Sequence, residues 1–370
     1  MPTSADVLNF AVKKLTPQWQ EQFYQHHPVL DKIILNGNID KAHTGAPFLE
    51  FPVVTNGPGQ VTRIETGSEV YSSVRRTVGN RGQVYCPRMI YSFVIPGKDL
   101  AEASGETAIA RLLKVYPEAA IMEFHEHIVS QFVNGNGADN NVQGFVTLNG
   151  NSTYNPAGSD LTGVFQYDTI ADQGDTVFNL TKSGAASGAV AGWHNQYAIS
   201  SAGNLRENLR DVYWRASVEG KQGGPVDLML CDIITFNKYY EDLDAQVRYA
   251  TSFKGETGKR GASRQGLMFQ EAEFYVEPSL DTSLASFGTD DKGPRKADSS
   301  SCGVTYMLKT DTWHMYTLGE DSGMETKGDF AIRGPVKVPG QDAWEWEIVL
   351  SMQLYCDRLN ANGVVTQTAL

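Results

Sequence analysis

Residues 59–90 cannot build a core of their own, and this limits the whole chain more than any other feature. The segment reads GQVTRIETGSEVYSSVRRTVGNRGQVYCPRMI: strand-forming residues, charges of both signs, no lysine and few large apolar side chains. It begins at a turn-prone Gly57-Pro58-Gly59 and gives way at Pro96-Gly97 to a long amphipathic helical pattern. Residues 61–65 and 83–86 read as two strands flanking a Gly- and Ser-rich tip. A two-stranded ribbon projecting into water is marginally stable at best. This one must lie on another surface, and a second copy of the same chain is the expected one.

The remainder is globular in composition, with 41% hydrophobic and 20% charged residues over 370 positions. With 36 glycines and 10% aromatic residues, it favours a β-rich body with many turns over a helical bundle. The net charge of -12 argues against a protein that coats nucleic acid, which carries a dominant basic footprint. Cys86, Cys231, Cys302 and Cys356 are scattered, with no CxxC pair to support a zinc ribbon or a thioredoxin-like site. Cys231 and Cys356 fall in apolar runs, where a buried free thiol is expected. The N-terminal residues lack the basic start and apolar run of a secretory signal. No stretch reaches the roughly 18 apolar residues of a membrane span. A reducing cytoplasm is the expected folding compartment.

Along the chain, residues 1–50 read as an extended arm with one short helix, its stripe being Leu8, Val12, Leu15 and Trp19. After Pro28 little regular periodicity is visible, and residues 43–54 read as an extended connection. Residues 104–134 carry the clearest helix, with Ser104 as cap and Ile109, Leu112, Leu113, Tyr116, Ile121, Phe124, Ile128 and Phe132 along its apolar face. Pro117 implies a kink there, or a second helix starting at that point. Residues 138–200 suggest loops and short strands. A helix capped by Asn204, a buried strand over 226–233, a helix capped by Thr235 and a strand over 266–277 then form a compact α+β unit. Strands follow at 303–309 and 312–318. The strongest β pattern is WEWEIVLSMQLY at 344–355, where alternation turns into a continuous apolar run.

Catalytic patterns are weak throughout. GETGKRG (255–261) lacks both the glycine spacing and the Ser or Thr that a phosphate-binding loop needs. Glu123 and His127 share a helix face, but no HExxH order and no second ligand pair accompany them. His26, His27, His43 and His314 have no recognisable nucleophile partner, and no GxSxG elbow occurs. No enzyme activity, cofactor or metal is expected.

The order of parts is an arm, a long two-stranded loop, a spine helix, a central α+β unit and a returning C-terminal strand. That order, with the texture of LRENLRDVYWRAS, GGPVDLMLCDIITFNKYYEDLDAQVRY and the terminal LYCDRLNANGVV, resembles the major capsid proteins of tailed bacteriophages, the Hong Kong 97-type capsid fold. The resemblance covers essentially the whole chain and implies an α+β fold. It implies an N-terminal arm over 1–50 and an extended β loop over 51–97. It further implies a peripheral domain with the spine helix over 98–140 and 330–370, and an axial domain over 141–329. It also implies self-assembly into pentamers and hexamers as an icosahedral shell around double-stranded DNA, in a virion assembled in the bacterial host. Expected partners are a separate scaffolding protein, a portal and a decoration protein, with no membrane. The loop charges Arg63, Glu65, Glu69, Arg75, Arg76 and Arg81 would contact the neighbouring subunit and set register. One departure stands out. Some relatives cross-link through a loop lysine, but between Lys41 and Lys98 this chain has none, so a non-covalent shell is expected. The alternatives are an encapsulin-type nanocompartment, kept open by the 8–19 stripe, and a hydrolase or glycan-binding β-rich protein using Trp344 and Trp346.

Overall fold

The computed structural model describes residues 28–41, 48–54, 79–102, 106–135, 142–145, 147–148, 164–166, 176–182, 190, 192–200, 204–220, 224–244, 267–277, 280, 304–317 and 330–367. Its first half contains α1 (Pro28–Leu35), β1 (Ile39–Lys41), β2 (Phe48–Val54), β3 (Gly79–Tyr85), β4 (Arg88–Pro96), α2 (Gly97–Glu102) and α3 (Glu106–Asn134). Short strands β5 (Thr147–Leu148), β6 (Phe165–Gln166), β7 (Thr176–Val177) and β8 (Leu180–Thr181) follow. Next come β9 (Gln196–Ser200), α4 (Leu205–Glu219), β10 (Leu228–Cys231), α5 (Ile233–Asp244), β11 (Leu267–Phe269), β12 (Ala272–Val276) and β13 (Val304–Leu308). The chain closes with β14 (Trp313–Thr317), β15 (Phe330–Lys337), β16 (Ala343–Cys356) and β17 (Gly363–Gln367).

β16 organises one sheet. Its first half alternates: Trp346, Ile348 and Leu350 are buried, while Glu345 and Glu347 face partly outward. Its second half is buried at every position from Ile348 to Cys356. The change from alternation to a continuous apolar run thus marks where the strand passes from one covered face to two. β4 and β15 flank the first half, β14 pairs with the last five residues, and β1 adds to β14 in parallel. α3 lies over the inner face, with Phe124 against Tyr91 at 5.9 Å and the Tyr91 hydroxyl donating to Glu123 Oε2 at 2.5 Å. Phe93 and Trp346, register partners, stack at 5.8 Å. α3 spans about 44 Å at 1.5 Å per residue, and β16 about 46 Å at 3.3 Å per residue, so helix and strand match as a spine. The helix runs unbroken through Pro117. No second helix starts there, although proline removes one intrahelical donor.

The second sheet has the order β11-β12-β10-β13-β17-β9. α4 and α5 cover one face, where Leu209, Val212, Tyr213, Ala216 and Tyr239 pack on Met229, Cys231, Phe274, Met307 and Val365. Leu228, Leu230, Tyr306, Leu308 and Val364 point the other way, into the core shared with the first sheet. Coverage on both faces explains why β10 and β13 are buried at every position.

Several local expectations are corrected. The stretch after Pro28 is a helix: Pro28 suits the first helical position, and Asp31 sits in the first turn. Gly37, at φ 71°, ends it while Gly37 N–H and Asn38 N–H bond back to Ile34 O and Ile33 O at 3.0 and 3.1 Å, a Schellman stop. Residues 48–54 are not a bare connection but strand β2, paired antiparallel with β3. Residues 88–96 of the expected loop run in the β16 sheet. Asn204 makes no side-chain cap bond. Thr235 lies inside α5, its hydroxyl donating to the carboxylate of Asp232, which stands at the helix start in its place. The arm helix over 8–19, Ser104 and residues 255–261 lie outside the described residues.

Candidate assembly surface

The ribbon's root is built by β2 and β3, whose seven register pairs run from Phe48↔Tyr85 to Val54↔Gly79 and bring the ends of residues 55–78 together. Phe51 anchors this stem: buried, it meets Tyr355 at 4.5 Å and Phe178 at 6.0 Å. Gly82, its register partner, leaves room for the ring, since a Cβ there would lie 2.3 Å from Phe51 Cζ. Val53 and Val84 complete the inward face. The outward face carries Phe48 against the exposed Tyr85 at 5.8 Å and polar groups beyond them. Glu50 accepts from Arg81 Nη1 and Gln83 Nε2, both at 3.2 Å, and Asn179 Nδ2 donates to Gln83 Oε1 at 3.0 Å. The stem's inward face therefore rests on its own subunit.

Of the loop charges read from the sequence, only Arg81 belongs to the described residues; Arg63, Glu65, Glu69, Arg75 and Arg76 do not. Arg81 is 81% exposed and paired with Glu50. An exposed pair of this kind contributes about 0–1 kcal/mol, so it steers the side chain more than it holds the stem.

Two open areas lie on the body. The outer face of the β4–β16–β15 sheet exposes Ile90, Val94 and Val336 beside Arg333 and Glu347, which approach to 3.9 Å. On the other sheet, Trp214 is 55% exposed and borders a cavity of about 380 Å³ with Tyr213, Ser217, Pro225, Gln270 and Glu271. Such exposed large apolar groups rimmed by polar ones suit protein contacts.

Reactive chemistry does not converge among the described residues. Among the described residues no group of three His, Cys, Asp or Glu side chains could hold a metal. Glu123 accepts from Tyr91, and His127 is exposed one turn further on. His314 stacks on Tyr355 at 5.0 Å, with Nδ1 3.5 Å from Asp40 Oδ2 and Nε2 3.9 Å from Asp357 Oδ2. Burial first, and then the hydrogen bond to Asp40, push the Tyr355 phenol up, so it stays a donor to that carboxylate. Burial likewise raises the Cys231 and Cys356 thiols, which makes them packing groups and not nucleophiles. Trp346 is buried against Phe93 and lines no open site. Among the described residues no helix is long and apolar enough to cross a membrane.

Comparison with known proteins yields no matching family model and no matching curated protein. Solved structures do match. The capsid asymmetric unit of cyanophage A-1(L) superposes with a TM-score of 0.58 at 10% identity, over 90% of this chain and 92% of that one. The capsid of a native GTA particle gives 0.49 at 10% identity, over 91% of each chain. The holo-SrpI encapsulin complex from Synechococcus elongatus gives 0.47 at 9% identity, over 92% of this chain and 87% of that one. At such identity the first likeness shows fold: the chain is a mixed α and β protein with the Hong Kong 97-type capsid fold over nine-tenths of its length.

Proposed function

We propose that this chain is the major capsid protein of a tailed bacteriophage, a structural subunit that assembles into pentamers and hexamers of an icosahedral head. The observation that carries this reading is the extent of the cyanophage capsid match, 90% of this chain and 92% of that one. The physical features support it. A shell needs heterologous contacts, which close into rings when the rotation allows. A ribbon whose root is fastened to its own body by Phe51 can present residues 55–78 to a neighbour without unfolding anything.

In this reading residues 1–50 are the N-terminal arm and 51–97 the extended loop, whose rigid root is β2 and β3. Residues 98–140 and 330–370 form the peripheral domain, with β4 joining its sheet, and 141–329 the axial domain. Arg63, Glu65, Glu69, Arg75, Arg76 and Arg81 meet the adjacent subunit and set its register. The partners are further copies of the chain, a scaffolding protein, a portal and a decoration protein. The head encloses double-stranded DNA without reading its sequence; a net charge of -12 avoids the grip a basic lining would exert. With no lysine between Lys41 and Lys98, the shell is held by non-covalent contacts. The particle assembles in the host cytoplasm and ends as the virion.

Replacing residues 56–77 with a short Gly-Asn turn tests this directly. The subunit should keep its circular dichroism and its cooperative unfolding, while shells vanish from electron micrographs. Shells formed by the shortened chain would refute the role given to the ribbon.

A further inference from the structure

The two sheets are joined by two short crossings that run side by side. β13 reaches β14 through the 3-10 turn Thr310–Thr312, and β16 reaches β17 through Leu359–Ala361. The Asp357 N–H donates to Thr312 O at 3.0 Å and draws the crossings together. One side chain completes the join. Asn362, fully buried, accepts at Oδ1 from Lys309 N–H at 2.8 Å and from Trp313 Nε1–H at 3.0 Å. Its Nδ2 donates to Thr312 Oγ1 at 3.0 Å and to Arg358 O at 2.9 Å, with Cys356 Sγ at 3.4 Å. An amide offers two acceptor sites and two N–H donors, and here all are engaged.

The tryptophan held this way sits where the sheets meet. Trp313 lies edge-on to Phe145 at 4.8 Å and near-parallel to Phe165 at 6.2 Å, and both phenylalanines also touch Tyr306 of β13. The segment from α1 to β1 straps the same junction from outside. Lys32 Nζ donates to Asp227 O at 2.8 Å beside Glu273 on the second sheet. Asn36 donates to Thr310 and Asp311 in the crossing itself, and β1 pairs with β14 on the first sheet.

We propose that Asn362 is the clasp that fixes the angle between the two sheets, and that through this angle it sets the curvature of the assembled shell. The second half of that statement rests on the capsid reading; the first does not. Any rotation of one sheet about the crossings moves Lys309 N–H and Trp313 Nε1–H apart from a shared acceptor, and buried donors left unmet are costly. Subunit shape matters because a small error in angle repeats at every head-to-tail contact and decides whether a ring closes.

Two readouts test the clasp. In the unassembled full-length chain, with Cys86→Ser and Cys302→Ser, spin labels at Val218→Cys on α4 and Val94→Cys on β4 report the distance between the sheets. Both positions are exposed. With Asn362 present the distance distribution should be narrow. Asn362→Ala should shift and broaden it, and Thr312→Val, which keeps the size but removes the hydroxyl, should do so to a smaller degree. If Asn362→Ala fails to fold, Thr312→Val alone carries this test. Distributions unchanged in every variant that folds would overturn the proposal. In the second readout, shells from the parent chain should have one diameter and those from the variant several, or none should close. Shells of the parent diameter from Asn362→Ala would refute the link to curvature. A parent chain that forms no shells would count against the capsid reading alone, because the label distances still decide whether the clasp exists.

Discussion

Phe51 and Gly82 oppose each other at the root of the ribbon, and substitutions at the pair measure how firmly the stem is fastened. Phe51 is 4% exposed and wedged between Tyr355 and Phe178. Removing its ring should cost about 3–5 kcal/mol, the usual range for a buried Phe→Ala change. Gly82→Ala places a methyl 2.3 Å from Phe51 Cζ. The ring cannot swing away, since aromatic neighbours hold it on both sides, so overpacking should cost about 1–3 kcal/mol. In the double variant that methyl enters the space the ring has left. Its stability should therefore lie close to that of Phe51→Ala, with a coupling of about 1–3 kcal/mol in the cycle. Urea unfolding of the unassembled subunit, followed by circular dichroism, measures all four proteins at equal m-value. Additive losses would show that the ring and the glycine do not oppose each other, and the stem would then not be fastened as described.

Three further outcomes follow from the same structure. Trp346→Ala, which empties a fully buried site beside Phe93, should destabilise the subunit by about 3–5 kcal/mol in the same denaturation assay. The Tyr355 phenol is raised above its ordinary value, so its contribution to stability is complete below pH of about 10 and is lost as pH climbs through the folded value. Absorbance titration should show several late-ionising tyrosines, Tyr91, Tyr213, Tyr239 and Tyr316 among them, and Tyr355→Phe should remove the latest of the set; the variant should also lose less stability at alkaline pH. Finally, a thiol reagent added to the native chain should modify half-buried Cys86 well before Cys231 and Cys356, both buried with raised thiols. Equal rates would mean that the core opens more readily than this packing implies.

The elements that could be read from sequence are those whose pattern is local. The 344–355 run, with its change from alternation to continuous burial, appears as β16 within a residue at each end. Ile121, Phe124, Ile128 and Phe132 are all buried on α3 as their spacing implies. Leu205, Leu209, Val212 and Ala216 line one face of α4. What could not be read is which strand pairs with which. Residues 83–85 do lie in a strand, with Cys86 just past its end, but its partner is Phe48–Val54. Nothing in residues 48–54 announces that partner, because pairing across the residues 55–78 depends on where Phe51 finds its pocket. Residues 88–96 were hidden for the same reason: their alternation fits either a projecting ribbon or a sheet strand, and only the register with β16 decides. α1 was missed although its signals are present, a proline at the first position, an aspartate in the first turn and Asn36-Gly37 at the stop. Eight residues are too few for periodicity to show. Asn362 had no sequence signal whatever, since its five partners come from Lys309, Thr312, Trp313, Cys356 and Arg358.

Whether this chain builds the closed shell proposed for it is decided by particle size. Electron microscopy and light scattering of the purified full-length protein should show closed particles of one diameter, or rings of five and six subunits on the way to them. A monomer or dimer that persists at high protein concentration would contradict that proposal.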